Sequence, residues 1–285
     1  MSAAPAEARA FGRKIRGPSA LGGDRARFVH LTWTLAVTEF KLRFFGSVLG
    51  YVWQLMRPLM LFGVLYLVFT EFVRIGQGVP HFPVVLLLGI VTFTFFAEAT
   101  GGAVTSLVDR ENMVRKIHFP RMVIPLAVVL TAYFNLLLNL VAVAIFAFAQ
   151  GVEPRASWLE YPVLLLILGI WAVGLAMLLS ALFVRARDVQ PIWEVVVQAL
   201  FYASPVIYPI EEIPNPDWAR YVMCNPLSAI LEQGRHAVID PGAPSAAQAI
   251  GASGRLLIPA AIVVLSVVLG FWLFNREAPR IAEQL

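Results

Sequence analysis

Long apolar stretches alternate with short polar joints along most of this chain. Six stretches reach about 20 residues, the length at which an α-helix crosses a bilayer core of about 30 Å. The fifth is interrupted by Pro205 and Pro209, which disfavour a continuous helix. The pattern predicts six transmembrane helices, at residues 49–72, 83–106, 122–149, 161–184, 189–209 and 255–274.

The segment before the first span carries an apolar stripe at helical spacing, at Trp33, Val37, Phe40 and Phe44. This spacing predicts an amphipathic helix over residues 25–46, lying in the cytoplasmic interface with its aromatic stripe in the acyl boundary. A second apolar line on its far side allows partial cover by protein. Residues 1–24 are rich in Ala, Gly, Pro and Arg, a composition that predicts a mobile cytoplasmic tail.

The joint over residues 204–254 is too long and too patterned for a simple connector. A Pro-rich turn is followed by a helical pattern from Leu227 to Val238, with Asn225 and Pro226 at its start. We expect two short re-entrant or interfacial helices in this extracytoplasmic segment. The fold class is therefore an all-α polytopic membrane protein, with residues 47–285 forming the transmembrane domain.

Composition agrees with a membrane protein. The chain is 59% hydrophobic and 14% charged, with a mean hydropathy of +0.75, whereas soluble domains have about 25% charged residues. The net charge of +4 does not indicate nucleic acid, because the basic residues sort by side of the predicted membrane. Sixteen of the 22 Lys and Arg residues lie on the same side as the termini, and five lie on the other side. Because basic residues are enriched on the cytoplasmic side of a membrane protein, both termini are expected in the cytoplasm. Arg57 is left within the first span.

Four segments carry a family resemblance by their order and spacing. They are Arg43 to Trp53 (RFFGSVLGYVW), Asn112 to Arg121 (NMVRKIHFPR), Arg187-Asp188-Val189 followed by Ser204 to Tyr208 (SPVIY), and Asn225-Pro226-Leu227 leading to Arg235. Together they resemble the membrane subunits of type-2 ABC exporters that carry O-antigen, teichoic acid and related cell-wall glycans. The resemblance covers about residues 40–240.

The resemblance implies a homodimer in the bacterial cytoplasmic (inner) membrane, bound to two copies of a separate nucleotide-binding ATPase subunit. The cargo would be a lipid-pyrophosphate-linked glycan. The sequence lacks a Gly-x-x-x-x-Gly-Lys-Ser/Thr phosphate loop, so ATP and Mg are expected in the partner and no cofactor in this chain. Cys224 is the only cysteine, which excludes an intrachain disulfide and a cysteine-based metal cluster.

A cytoplasmic coupling segment is predicted at residues 107–121, between the second and third spans. Acidic residues can start a short helix here, basic residues lie near its end, and Pro120 stops it. The alternative is a loop that only orients the protein in the membrane. The residues expected to meet the ATPase are Asp109, Glu111, Asn112, Arg115, Lys116, His118, Phe119 and Arg121.

The predicted substrate path rests on polar and aromatic faces of the first and fifth spans. Charge within a bilayer is costly, so Arg57 either pairs with Glu98 at a similar depth or attracts the pyrophosphate of the cargo. On the fifth span, a polar and aromatic face offers partners for the hydroxyls and C–H faces of sugars. The alternative is that these side chains hold neighbouring helices together by hydrogen bonds and aromatic packing. The path residues are Tyr51, Trp53, Gln54, Arg57, Gln190, Glu194, Gln198, Phe201, Tyr202 and Tyr208.

Other functions remain open at this point. An ABC exporter of a drug or a lipid would share most of these features. A membrane enzyme would need convergent carboxylates, and Asp109 and Glu111, two residues apart on a helix, do not converge. A secondary transporter or channel is disfavoured because no repeat of half the chain length is present.

Overall fold

The computed structural model describes residues 25–44, 50–74, 76, 78–111, 113 and 120–284. The predicted tail, residues 1–24, lies outside these ranges. Within them the chain is helical, with no β-strand. The described residues form ten α-helices: α1 (Arg25–Phe44), α2 (Gly50–Leu67), α3 (Phe82–Asp109), α4 (Val123–Ala149), α5 (Glu160–Arg185), α6 (Val189–Ala203), α7 (Pro216–Met223), α8 (Pro226–Val238), α9 (Ala246–Ala249) and α10 (Leu257–Gln284).

Five helices of the described chain are long and apolar enough to cross a membrane. They span Val52–Val73, Phe82–Asp109, Val123–Ala149, Ala156–Arg185 and Ser253–Ala278. The first of these continues from α2 through a π-helical turn, and the fourth and fifth begin with 3-10 turns before α5 and α10. The prediction of an all-α polytopic membrane protein is confirmed.

The predicted fifth span is shorter than expected. Helix α6 has 15 residues, a length of about 22 Å, and ends at Ala203. Ser204 is extended, as a residue before proline prefers to be. The following chain packs onto α3, where a Cβ on Gly89 would lie 2.9 Å from the Val206 carbonyl oxygen. The absence of a side chain at Gly89 therefore lets an irregular, buried segment replace the last turns of the helix.

Helix α3 lies at the centre of the bundle, because it packs on α2, α4, α5 and α6. The buried ring of Phe96 on α3 stacks on Trp171 of α5, with ring centroids 4.6 Å apart. Helix α10 packs on α5 through glycines: a Cβ on Gly174 would lie 2.8 Å from Val267 Cα, and Gly270 faces the Gly174 carbonyl oxygen. Small residues at this crossing bring the two backbones close, as in other membrane helix pairs.

The predicted N-terminal helix forms as α1, and it lies against α4. The rings of Trp33 and Phe40 meet Phe134 edge-on, with centroids 5.4 and 5.5 Å apart. Thr131 on α4 donates a hydrogen bond to the Ala36 carbonyl oxygen at 3.3 Å. Part of the aromatic stripe thus contacts protein, although Trp33 remains 54% exposed.

The two short helices expected between the last two spans are present as α7 and α8. Asn225 is the N-cap of α8, and its side-chain oxygen accepts a hydrogen bond from the Leu227 amide at 3.1 Å. Pro226 follows at the first helical position, where its missing N–H costs nothing. Helix α8 packs on α5 and α3 and is largely buried, so this segment forms a cap on one end of the bundle.

Candidate substrate path and charged clusters

An open cavity of about 300 Å³ lies between α2, α3 and α6. Its wall contains a cation, a carboxylate, an amide and aromatic rings in the middle of the predicted membrane. The lining residues are Arg57, Leu61, Phe93, Thr94, Ala97, Glu98, Gln198, Phe201 and Tyr202. Of the residues predicted for the substrate path, the structure brings Arg57, Gln198, Phe201 and Tyr202 together here.

The Glu98 carboxylate is held by amides. Asn135 on α4 donates to one oxygen at 2.8 Å, and Gln54 on α2 donates to the other at 3.4 Å. Among the described residues, Arg57 makes no ion pair with Glu98, and its side chain is exposed. The cavity therefore has an anion anchored by neighbouring helices and a cation that points to its open side.

The aromatic wall is built from α3 and α6. Phe93 and Phe201 meet edge-on with centroids 4.9 Å apart, and Phe201 contacts Tyr202 at 5.3 Å. Tyr202 is 60% exposed. Tyr208, from the irregular segment after α6, donates its hydroxyl to the Tyr202 carbonyl oxygen at 3.2 Å and lines a separate small cavity. The rings give the open side a surface that suits apolar faces of a ligand.

The other predicted path residues do not line this cavity. Gln190 donates to Glu194 at 3.1 Å on the exposed face of α6, and Trp53 is 62% exposed on α2. Gln54 contributes through Glu98, as described above. The side chain of Tyr51 lies outside what the structure describes.

At the end of the bundle that carries the predicted coupling segment, α3 continues to Asp109, so this residue ends a long helix and does not begin a short one. Thr105 donates to the Asp109 carboxylate at 2.7 Å. Glu111 is helical, and Arg121 is 7% exposed at the base of α4. The remaining predicted coupling residues lie outside the described residues: Asn112, Arg115, Lys116, His118 and Phe119.

Two ion pairs join elements at this end of the bundle. Arg110, which follows α3, pairs with Glu39 of α1 and also donates to the Ser106 carbonyl oxygen. Arg185 at the end of α5 pairs with Glu277 of α10 at 2.7 Å, and the Glu277 side chain is 1% exposed. The start of the predicted coupling segment is thus tied to α1.

The sequence predictions did not anticipate a buried charge cluster at the opposite end. Arg235 on α8 binds both oxygens of Glu211, at 2.7 and 3.0 Å, and Glu232 at 3.2 Å. Arg235 and Glu232 are 4% and 2% exposed. The spacing of Glu232 and Arg235, three residues apart on a predicted helix, was an available signal, whereas Glu211 is 24 residues away.

The pKa values of this cluster follow from burial. Burial raises the pKa of Glu232 to about 7, with Arg235 opposing the rise and Glu211 adding to it. Burial alone would lower the pKa of Arg235, but its hydrogen bond to Glu211 and the nearby carboxylates raise it overall. These shifts favour a charged Arg235 and a Glu232 that binds a proton more readily than an ordinary glutamate.

These features define a multi-pass helical membrane protein with a polar and aromatic cavity inside its spans. Comparison of sequences gives the family: the model for the ABC-2 type transporter matches residues 30–239. The chain belongs to the ABC-2 type transporter family.

Curated relatives agree with this assignment. The chain is 32% identical to the O-antigen export system permease protein RfbA of Myxococcus xanthus over 200 residues, 70% of this chain and 76% of that one. It is 27% identical to the protein of the same name from Klebsiella pneumoniae, over 68% and 74%. The polysialic acid transport protein KpsM of Escherichia coli is 24% identical over 86% of this chain and 93% of its own.

Proposed function

We propose that this chain is the transmembrane subunit of an ATP-driven exporter that moves lipid-linked polysaccharide across the cytoplasmic membrane. The cavity between α2, α3 and α6 carries the proposal, because it combines Arg57 with an aromatic wall. Relatives named for O-antigen export and polysialic acid transport support a polysaccharide cargo. The lipid-linked form of that cargo and the residues that contact it are inferred from the cavity.

The chemistry of the cavity suits both ends of such a cargo. A guanidinium group binds phosphate oxygens through paired N–H donors, so Arg57 can receive a pyrophosphate group. Tyr202 and Phe201 can stack on the C–H faces of sugars without a fixed hydrogen-bond register, which allows a chain to slide. Gln198 and the amide-bound Glu98 offer partners for hydroxyl groups. Gln54 and Asn135 bind the Glu98 carboxylate, and Arg57 does not pair with it. The Arg57 guanidinium group can therefore bind the cargo.

The exposure of Arg57 also supports a homodimer. A charged side chain facing lipid in the middle of a span is costly, and almost none of α2 is buried within this chain. A second copy packed near α2 and α6 would enclose the cavity and let water or cargo solvate the cation. This arrangement gives a path between two subunits, lined twice by the same residues.

Energy for transport would come from a separate ATPase subunit, which binds ATP and Mg. Its contact on this chain is the coupling segment at residues 107–121, which continues from the central helix α3. A push on this segment would move α3, which forms one wall of the cavity. The Arg110 pair with Glu39 would carry the same motion to α1.

Export by cavity variants tests the proposal. In cells depleted of this chain, a lipid-linked glycan should accumulate in the cytoplasm, and the wild-type chain should restore export. Tyr202→Ala, at the cavity wall, should reduce export at least about tenfold, equivalent to about 1.4 kcal/mol. Phe271→Ala on α10, also exposed but away from the cavity, serves as the matched control. Normal glycan export with loss of drug or lipid export would instead assign a different cargo.

Two further tests address coupling and orientation. The Arg115→Glu, Lys116→Glu double variant should lose the co-purifying ATPase, whereas Arg276→Glu should keep it.

In a Cys224→Ser background, Glu212→Cys should react with an impermeant thiol reagent in intact cells, and Arg187→Cys should not. Reaction of Arg187→Cys alone would contradict cytoplasmic termini.

A further inference from the structure

A groove of about 270 Å³ lies at the end of the bundle that carries α7, α8 and α9, apart from the cavity described above. One face of α7 forms its first wall, with residues spaced i, i+3, i+4 and i+7. The turn before α10 and the start of α10 form the second wall. The lining residues are Asp217, Arg220, Tyr221, Cys224, Ile250, Arg255 and Ile258.

Two arginines converge in this groove. Arg220 pairs with Asp217 at 2.8 Å, and Arg255 donates to the Ile250 carbonyl oxygen at 3.3 Å. Gly251, at a φ of 88°, lies between them: a Cβ there would be 3.1 Å from Arg220 Nε and 3.4 Å from Arg255 Nη1. Two guanidinium groups and one carboxylate leave an excess positive charge in a confined space, which favours an anion.

The groove lies beside the start of α10, which belongs to a helix long and apolar enough to span a membrane. Helix α10 begins at Leu257, which is 72% exposed, and an exposed apolar stripe follows down its length. Trp218 and Tyr221 on α7 are 65% and 71% exposed, with ring centroids 6.1 Å apart. Exposed Trp and Tyr side chains are typical of the membrane interface. The stripe on α10 comprises Ile258, Ile262, Leu265 and Leu269.

We propose that this groove binds the phosphate of an anionic phospholipid head group, with an acyl chain lying along the α10 stripe. Arg220 and Arg255 bind the phosphate oxygens, because a guanidinium group offers paired N–H donors that match phosphate geometry. Inorganic phosphate shares the charge but cannot contact α10. The proposal does not depend on which cargo the cavity carries.

Native mass spectrometry of the full chain released from nanodiscs tests this proposal. With equal phosphatidylglycerol and phosphatidylcholine, the wild-type chain should retain phosphatidylglycerol selectively. The Arg220→Gln, Arg255→Gln double variant should retain about tenfold less phosphatidylglycerol than the wild type. Arg155→Gln, exposed at the same end of the bundle but outside the groove, should retain phosphatidylglycerol like the wild type. Equal retention by the double variant would overturn the proposal.

A second arm separates the lipid from a free anion and controls for folding. Arg255→Gln alone keeps the pair between Arg220 and Asp217, so it should fold normally by circular dichroism and show an intermediate loss of retained lipid. In detergent, phosphatidylglycerol should raise the Tm of the wild-type chain, and inorganic phosphate at the same concentration should not. An equal rise with inorganic phosphate would assign a soluble anion to the groove and refute the lipid.

Discussion

Arg235 and Arg57 are both arginines of a largely apolar protein, yet their surroundings differ. Arg235 is 4% exposed, and two carboxylates of the same chain bind it. Arg57 is exposed on α2, and the described carboxylate nearest in the cavity wall, Glu98, is bound by Gln54 and Asn135. Carboxylates of the same chain bind the first charge, whereas the second has no ion pair among the described residues.

We expect this difference to separate a structural charge from a functional one. A buried arginine bound by two carboxylates anchors two segments, here the turn at Glu211 and helix α8. An intramembrane arginine without such a partner is expensive and is retained where it meets substrate, water or another subunit. Substitution at the two positions should therefore affect folding in one case and transport in the other.

The largest effect is expected at the buried cluster. Arg235→Met removes the cation beside buried Glu232 and should lower the free energy of unfolding by about 3–5 kcal/mol above pH 7, where Glu232 is ionised in the wild type. Thermal unfolding in detergent measures this loss. Adding Glu232→Leu should restore most of it, because the half-exposed Glu211 can be hydrated. A single variant as stable as the wild type would show that the cluster does not anchor α8.

The next effect concerns the anchor of Glu98. Asn135→Leu removes the donor at 2.8 Å and should cost about 1–3 kcal/mol of folding stability, because the half-buried Glu98 carboxylate loses a hydrogen bond to a charged group. Asn139→Leu is the matched control: its side chain donates only to a carbonyl oxygen of its own helix, so a smaller loss is expected. Equal losses in the two variants would contradict a specific role for Asn135.

Arg57 should show the opposite pattern. Arg57→Gln should reduce export at least about tenfold, or about 1.4 kcal/mol, with little change in folded yield. The earlier alternative, an ion pair with Glu98, predicts that Arg57→Met combined with Glu98→Leu restores both yield and export. Full export by this double variant would remove Arg57 from the substrate path. Export assays and gel filtration measure the two quantities separately.

The smallest effect is a pH dependence of stability. The pKa of Glu232, about 7 in the folded chain, lies above its ordinary value, so the folded state binds more protons than the unfolded state between those values. Stability should therefore fall as pH rises, by about 1 kcal/mol between pH 6 and 7. Glu232→Gln should remove this slope. An unchanged slope in the variant would assign the dependence to other groups.

The helices could be predicted from the sequence because their signals are local. Runs of about 20 apolar residues predict spans, and the Asn225-Pro226 pair marked the start of α8 where the structure has it. The sequence prediction overestimated the length of α6. This helix ends at Ala203, because the chain around Pro205 packs on Gly89. That outcome depends on a contact between residues more than a hundred positions apart.

The candidate site divides in the same way. Helical spacing predicted that Gln198, Phe201 and Tyr202 share a face, and depth placed Arg57 and Glu98 at one level. The hydrogen-bond partner of Glu98 could not be predicted in this way, because Asn135 lies on a different helix, α4. The roles assigned to the cavity and coupling residues stay predictions until the variants above are measured.

The amino-acid sequence by itself determined the class of protein, the family, and the five helices of the described chain that are long and apolar enough to span a membrane, since hydrophobic length and local capping need no knowledge of neighbours. Tertiary structure alone decided which charges are paired. Glu211 reaches Arg235 across 24 residues, and the cavity joins walls from α2, α3 and α6. The physical reason is that the cost of a buried charge depends on atoms within a few ångströms, and only the packing of helices decides which atoms those are.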